Sequence, residues 1–93
     1  MTLAKVLYKQ PQFRNRTFFQ FKQAEIIIYN SEQSFSISVP SEYYQEITQL
    51  LKLLQIGSFS LNQLSEACPN IKEEIPELLA NFDNRDLLTE TKN

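Results

Sequence analysis

Glu25–Val39 reads EIIIYNSEQSFSISV, and its two halves are apolar in two different ways. Ile26, Ile27 and Ile28 form an unbroken run, the pattern of a central strand buried on one or both faces. Phe35, Ile37 and Val39 instead alternate with Ser34, Ser36 and Ser38. A period of two marks a strand with one buried and one solvated face. Asn30-Ser31-Glu32-Gln33 separates the halves with residues suited to a hairpin turn. Just upstream, Thr17–Lys22 (TFFQFK) supplies a further strand-like run with Phe19 and Phe21 on one face. Only Gln23-Ala24 connects it to Glu25, so three short antiparallel strands are expected.

Beyond Val39 the period changes. Pro40 stops the strand, and Ser41 is placed to cap a helix with Glu42 in its first turn. Tyr44, Ile47, Leu50, Leu51 and Leu54 then recur at helical spacing. Gly57, the only glycine, falls where a left-handed C-terminal cap is expected. Ser60 with Gln63 forms a capping-box pattern for a short second helix, with Leu61 and Leu64 inward. Asn70 is read as the cap of a third helix whose inward residues are Ile71, Ile75, Leu78, Leu79 and Phe82. Pro76 would interrupt a helix running from Ile71. A loose or 3₁₀ first turn, with the regular helix beginning near Pro76, is favoured over a kink. Leu87 and Leu88 close the pattern as a last strand or as coil, followed by a polar end, Thr89–Asn93, expected to fray.

The region 1–16 is read as a partly ordered arm preceding one domain over 17–93. Leu3, Val6, Leu7 and Tyr8 make a short strand or pack loosely, and Pro11 breaks what precedes it. An initiator Met and a polar end suit a free-standing protein and an N-terminal fragment equally.

Composition narrows the chemistry. Apolar content of 42% and charged content of 22% are ordinary for a folded soluble domain. With no histidine, neither a Ser-His-Asp nor a Cys-His arrangement is available, and with a single cysteine a structural zinc site is not expected. One glycine argues against a glycine-rich phosphate loop. Cys68 has no partner for an internal disulfide, which fits a cytoplasmic protein, and it is read as a helix-end packing residue rather than a reactive thiol. No stretch is apolar enough for a membrane span, and no cofactor is implied. Charge is unevenly spread. Residues 1–30 carry Lys5, Lys9, Arg14, Arg16 and Lys22 against Glu25 alone, a net +4. The remainder carries four cations against ten carboxylates, a net −6.

Three strands followed by three helices, the second short, give an α+β, winged-helix-like order in which the last two helices read as a helix-turn-helix. Such a unit raises the possibility of DNA binding. Between Ile71 and Asp83, however, Lys72 stands against Glu73, Glu74, Glu77 and Asp83, and phosphate contacts need cations. Nucleic acid is therefore not the expected partner. A three-stranded sheet also has two edges with unpaired main-chain groups, and the Ser34–Val39 strand is expected at one of them. An extended peptide can add there as a further strand.

From Thr17 to Leu88 the chain resembles the RiPP recognition element. That family is typified by the small peptide chaperone of pyrroloquinoline quinone biosynthesis. It also occurs fused to cyclodehydratases and flavin-dependent azoline dehydrogenases that modify ribosomal peptides. The resemblance rests on the three-strand opening (FFQFKQAEIIIYN, then SFSISV), the stretch LLKLLQIG, the serine-started SLNQLSEA, and ELLANFDNRDLL running into the leucine pair. Two departures stand out: Asn84-Arg85-Asp86 where the family often has glycine, and Pro76 inside the third helix. The resemblance implies a non-catalytic domain whose partners are a precursor leader peptide and a peptide-modifying enzyme, in trans or fused. It implies peptide contact by Ser34, Phe35, Ser36, Ile37 and Ser38 on the strand. On the third helix it implies contact by Lys72, Ile75, Pro76, Leu79 and Phe82. Ile75, Leu79 and Phe82 have a spacing that suits core and groove wall equally, and Lys72 would meet an acidic leader residue. A winged-helix DNA binder and a structural docking domain of a larger enzyme are the alternatives.

Overall fold

The structure, a computed structural model, describes residues 8–91. Its elements run β1 (Pro11–Phe13), β2 (Phe18–Lys22), β3 (Glu25–Tyr29), β4 (Ser34–Ser38), α1 (Tyr44–Ile56), α2 (Leu61–Ala67), α3 (Ile75–Asn84) and β5 (Leu88–Glu90). Strands β2, β3 and β4 form the expected three-stranded antiparallel sheet, with β3 central. Ile28 pairs with both Phe19 and Phe35, and Ile26 with both Phe21 and Ile37. One sheet face is thereby lined by these six apolar side chains, with Ile26 and Ile28 fully buried beneath the helices. The β3–β4 turn is held by Asn30, whose Oδ1 accepts from the amides of Glu32 (2.8 Å) and Gln33 (3.0 Å). A short polar side chain that bonds its own downstream backbone is the reason asparagine suits such turns.

The helices cover that face. Leu50, Leu51 and Leu54 of α1, Leu64 of α2, and Ile75, Leu79 and Phe82 of α3 are buried in one core with Leu87 and Leu88. The Ser60 capping box is present in full: Ser60 Oγ accepts from the Gln63 amide (3.2 Å), and Gln63 Oε1 accepts from the Ser60 amide (2.8 Å). Two other expected caps are absent. Ser41 opens a 3₁₀ turn (Ser41–Tyr43) that leads into α1, and no side chain caps either helix start. Asn70 lies inside a second 3₁₀ turn, Pro69–Ile71, and α3 starts only at Ile75 with Pro76 in its first turn. A proline there removes an amide that has no helical partner anyway, so the helix is not kinked. Cys68 is fully buried between these turns, its thiol donating to the Glu46 carbonyl at 3.3 Å, and burial pushes its pKa up.

A second, two-stranded sheet takes up part of the region read as an arm. Pro11 opens β1, and β1 pairs antiparallel with β5 in the register Pro11–Glu90 to Phe13–Leu88. Proline is acceptable on so short a strand because it has an edge on which no amide is needed. Further bonds extend the pairing: Arg14 N to Leu87 O (2.7 Å), Thr91 N to Gln10 O (2.9 Å), and the Lys9 and Gln10 amides to the Glu90 carboxylate. Thr89 and Glu90, expected to fray, are therefore built into a sheet. The expectation for Leu3, Val6 and Leu7 lies outside the described residues.

Gly57 joins this small sheet to α1. It does end α1, but with φ 79° and ψ −175°, a backbone region open essentially to glycine alone and distinct from the expected left-handed cap. A Cβ built there would stand 2.6 Å from Thr91 Oγ1 and 2.7 Å from Gln12 Cδ. Backbone strain and the clash act together, so Gly57→Ala is expected to destabilise the fold by about 1–3 kcal/mol. The check is a lowered urea midpoint at an unchanged denaturant slope.

Candidate functional site

The two edges of the larger sheet differ in what they offer. Along β4, the flanking bonds Asn30 N to Gln33 O (2.9 Å) and Val39 N to Ala24 O (3.0 Å) fix which residues face β3. Antiparallel pairing alternates, so Phe35 and Ile37 direct their main-chain groups toward β3 while Ser34, Ser36 and Ser38 direct theirs outward. Among the described residues, nothing hydrogen-bonds to the outward groups of these serines. Along β2 the same alternation sends the main chain of Thr17, Phe19, Phe21 and Gln23 outward. There α1 intervenes: Gln55 Nε2 donates to the Thr17 carbonyl (3.3 Å) and the Tyr44 hydroxyl donates to that of Gln23. Tyr44 also packs its ring against Phe21 at 5.5 Å. A strand laid on β2 would have to displace both helix side chains. The β4 edge is open.

Beside that edge lies a groove of about 360 Å³ between β4 and α3. Ile37 and Val39 form one side and Leu78 the other, with Ile47 and Ile71 at the floor and Tyr43 at one end. The wall is mainly apolar, and its rim carries Glu74, Glu77 and Asn81. Beyond the groove, toward the start of β4, Arg85 Cζ lies 4.2 Å over the Phe35 ring, and the Arg85 carbonyl accepts from Gln33 Nε2 (2.6 Å). Helix α3 therefore runs antiparallel to β4, its first turn beside Val39 and its last beside Phe35.

The strand half of the expected site is brought together here: Ser34, Ser36 and Ser38 at the open edge, Ile37 in the groove wall, and Phe35 beneath Arg85. The helix half is displaced. Ile75 and Leu79 are at most 1% exposed and pack in the core with Phe82, so none of the three forms groove wall. Lys72 and Pro76 are exposed but do not line the groove. Pro76 precedes Leu78 by two residues, about 200° around a helix axis, which puts it on the far flank of α3. The stripe that does face β4 is Glu74, Leu78, Asn81 and Arg85. Its three- and four-residue spacing lies beside the buried stripe Ile71, Ile75, Leu79 and Phe82, and that neighbouring line was the signal available in the sequence.

Among the described residues, no three His, Cys, Asp or Glu side chains cluster to hold a metal, and no helix is long and apolar enough to cross a membrane. No protein-family model and no curated protein matches the chain.

Proposed function

We propose that this domain captures the leader segment of a ribosomally made precursor peptide by adding it as a strand to β4. It then presents the rest of the peptide to a modifying enzyme, a cyclodehydratase, an azoline dehydrogenase or similar, and performs no chemistry itself. The fold is then a winged-helix-like one used for peptides. In support stand the strand and helix order and the short α2 followed by α3.

One observation carries the reading: the outward main chain of Ser34, Ser36 and Ser38 is unpartnered beside an apolar groove, whereas the β2 edge is held by α1. Three residues offering an N–H and a C=O each give an incoming strand up to about six main-chain bonds, and the groove receives its alternate side chains. DNA is supported less well. Glu73, Glu74 and Glu77 are all exposed at the start of α3, and carboxylates so placed repel phosphate.

Hydrogen exchange tests the reading, with an extended synthetic peptide of alternating Thr, Val and Leu residues as ligand. The amides of Ser34, Ser36 and Ser38 are expected to pass from fast exchange to protection, while those of Phe35 and Ile37, already bonded to β3, change little. New protection at Phe19 and Phe21 instead would place the peptide on the wrong edge and refute the proposal.

A further inference from the structure

We infer that the β4–α3 groove is charge-polarised, and selects an extended segment bearing a basic residue toward its N-terminal end and an acidic residue toward its C-terminal end. This rests on the strand-addition reading above and adds a specificity to it. The Val39 end of the groove is rimmed by Glu74 and Glu77, and past its other end, along the same strand but outside the groove lining, Arg85 sits over Phe35. Among the described residues none of these three charges forms an ion pair, the single one present being Arg14 with Asp86 at 3.1 Å. The start of α3 contributes only about half a positive charge from its aligned peptide dipoles, against two full negative charges on Glu74 and Glu77. That end is therefore net acidic. Arg85 Cζ lies 4.2 Å over the Phe35 ring and forms no ion pair among the described residues, so its guanidinium N–H donors are available to a carboxylate.

Direction follows from the ladder. Strand β4 runs from the Arg85 end toward the Glu74 end, and an added strand pairs more stably antiparallel. Its N-terminal part then lies by Glu74 and Glu77 and its C-terminal part by Arg85. Four residue steps along the strand lead from Phe35 to Val39, about 13 Å, so the two ligand charges fall about four or five positions apart. This distance exceeds the screening length of about 8 Å at physiological salt, so each end acts on its own. The sign at the helix side is opposite to that expected from Lys72, which lies off the groove.

Three synthetic decapeptides test this, all acetylated, amidated, fluorescently labelled and sharing an alternating Thr/Val/Leu centre. One carries lysine before the centre and glutamate after it, one has them reversed, and one is neutral. Fluorescence anisotropy at low salt is expected to rank the lysine-first peptide tightest and the glutamate-first weakest, about tenfold apart, with the gap under about threefold at 0.5 M salt. The variant E74K/E77K/R85E, altered only at exposed positions, is expected to reverse the order. Equal affinities, with Ser34, Ser36 and Ser38 protected by both charged peptides, would overturn the polarity and leave strand addition standing. Protection of these amides by none of the three would overturn strand addition itself.

Discussion

Replacing Ser36 with proline is expected to leave the fold standing and to weaken leader-peptide capture by about 30-fold or more. Ser36 sits opposite Ile27 at the middle of β4, and its N–H and C=O point away from β3. Proline at this position therefore removes no bond of the existing ladder, which is the condition under which an edge strand tolerates it. Phe35 before it is already extended, as a residue preceding proline must be. The incoming strand, by contrast, loses the central donor and meets the ring where its carbonyl should lie. The single main-chain bond lost, at about 1 kcal/mol, accounts for about fivefold, and the clash of the ring with the incoming strand's carbonyl accounts for the rest. Ser36→Ala keeps the N–H and changes only an exposed side chain, so its affinity should stay within about threefold. Titration calorimetry of both variants, with circular dichroism to show an unchanged fold, makes the comparison. Undiminished binding by the proline variant would remove β4 as the capture edge.

The parts of the fold that were legible in sequence are those set by neighbours along the chain. Alternation in Ser34–Val39 located the edge strand because side-chain direction in a strand is purely local. The Ser60–Gln63 pair announced the start of α2 because both of its bonds close within one turn. The β1–β5 sheet was not legible. Its partners lie some 80 positions apart, and neither three-residue strand carries a period of its own. Pro11, read locally, signals a break; only its distant pairing with Glu90 makes it a strand residue. The groove was half legible for a related reason. Helical spacing identifies a buried stripe on α3, but which flank of that stripe turns toward β4 depends on how α3 crosses the sheet. The stripe Glu74–Leu78–Asn81–Arg85 was one of two candidates, and the resemblance pointed to residues on the buried stripe and the other flank.

Phe82 decides between core and groove most sharply, because the two roles predict opposite results. It is fully buried, its ring 5.4 Å from Phe13 of β1 and 6.1 Å from Phe35 of β4. Its carbonyl accepts from the amides of Arg85 (3.2 Å) and Leu87 (3.0 Å), turning the chain from α3 into β5. One side chain thus joins both sheets to the last helix. Phe82→Ala is expected to cost about 3–5 kcal/mol, since the surrounding strands can collapse only partly into the space. A domain of this size has a total stability of about 5–14 kcal/mol, so the variant retains a fold by a narrow margin or loses it. In thermal unfolding the expected fall is about 15–30 °C. Leu78→Ala supplies the contrast, because Leu78 is only half-buried and lines the groove. Its loss should cost about 1 kcal/mol of stability yet weaken capture of the peptide about tenfold. If Phe82→Ala left the melting temperature within a few degrees and abolished capture, Phe82 would be groove wall after all, and the packing of α3 against β1 and β4 would be wrong.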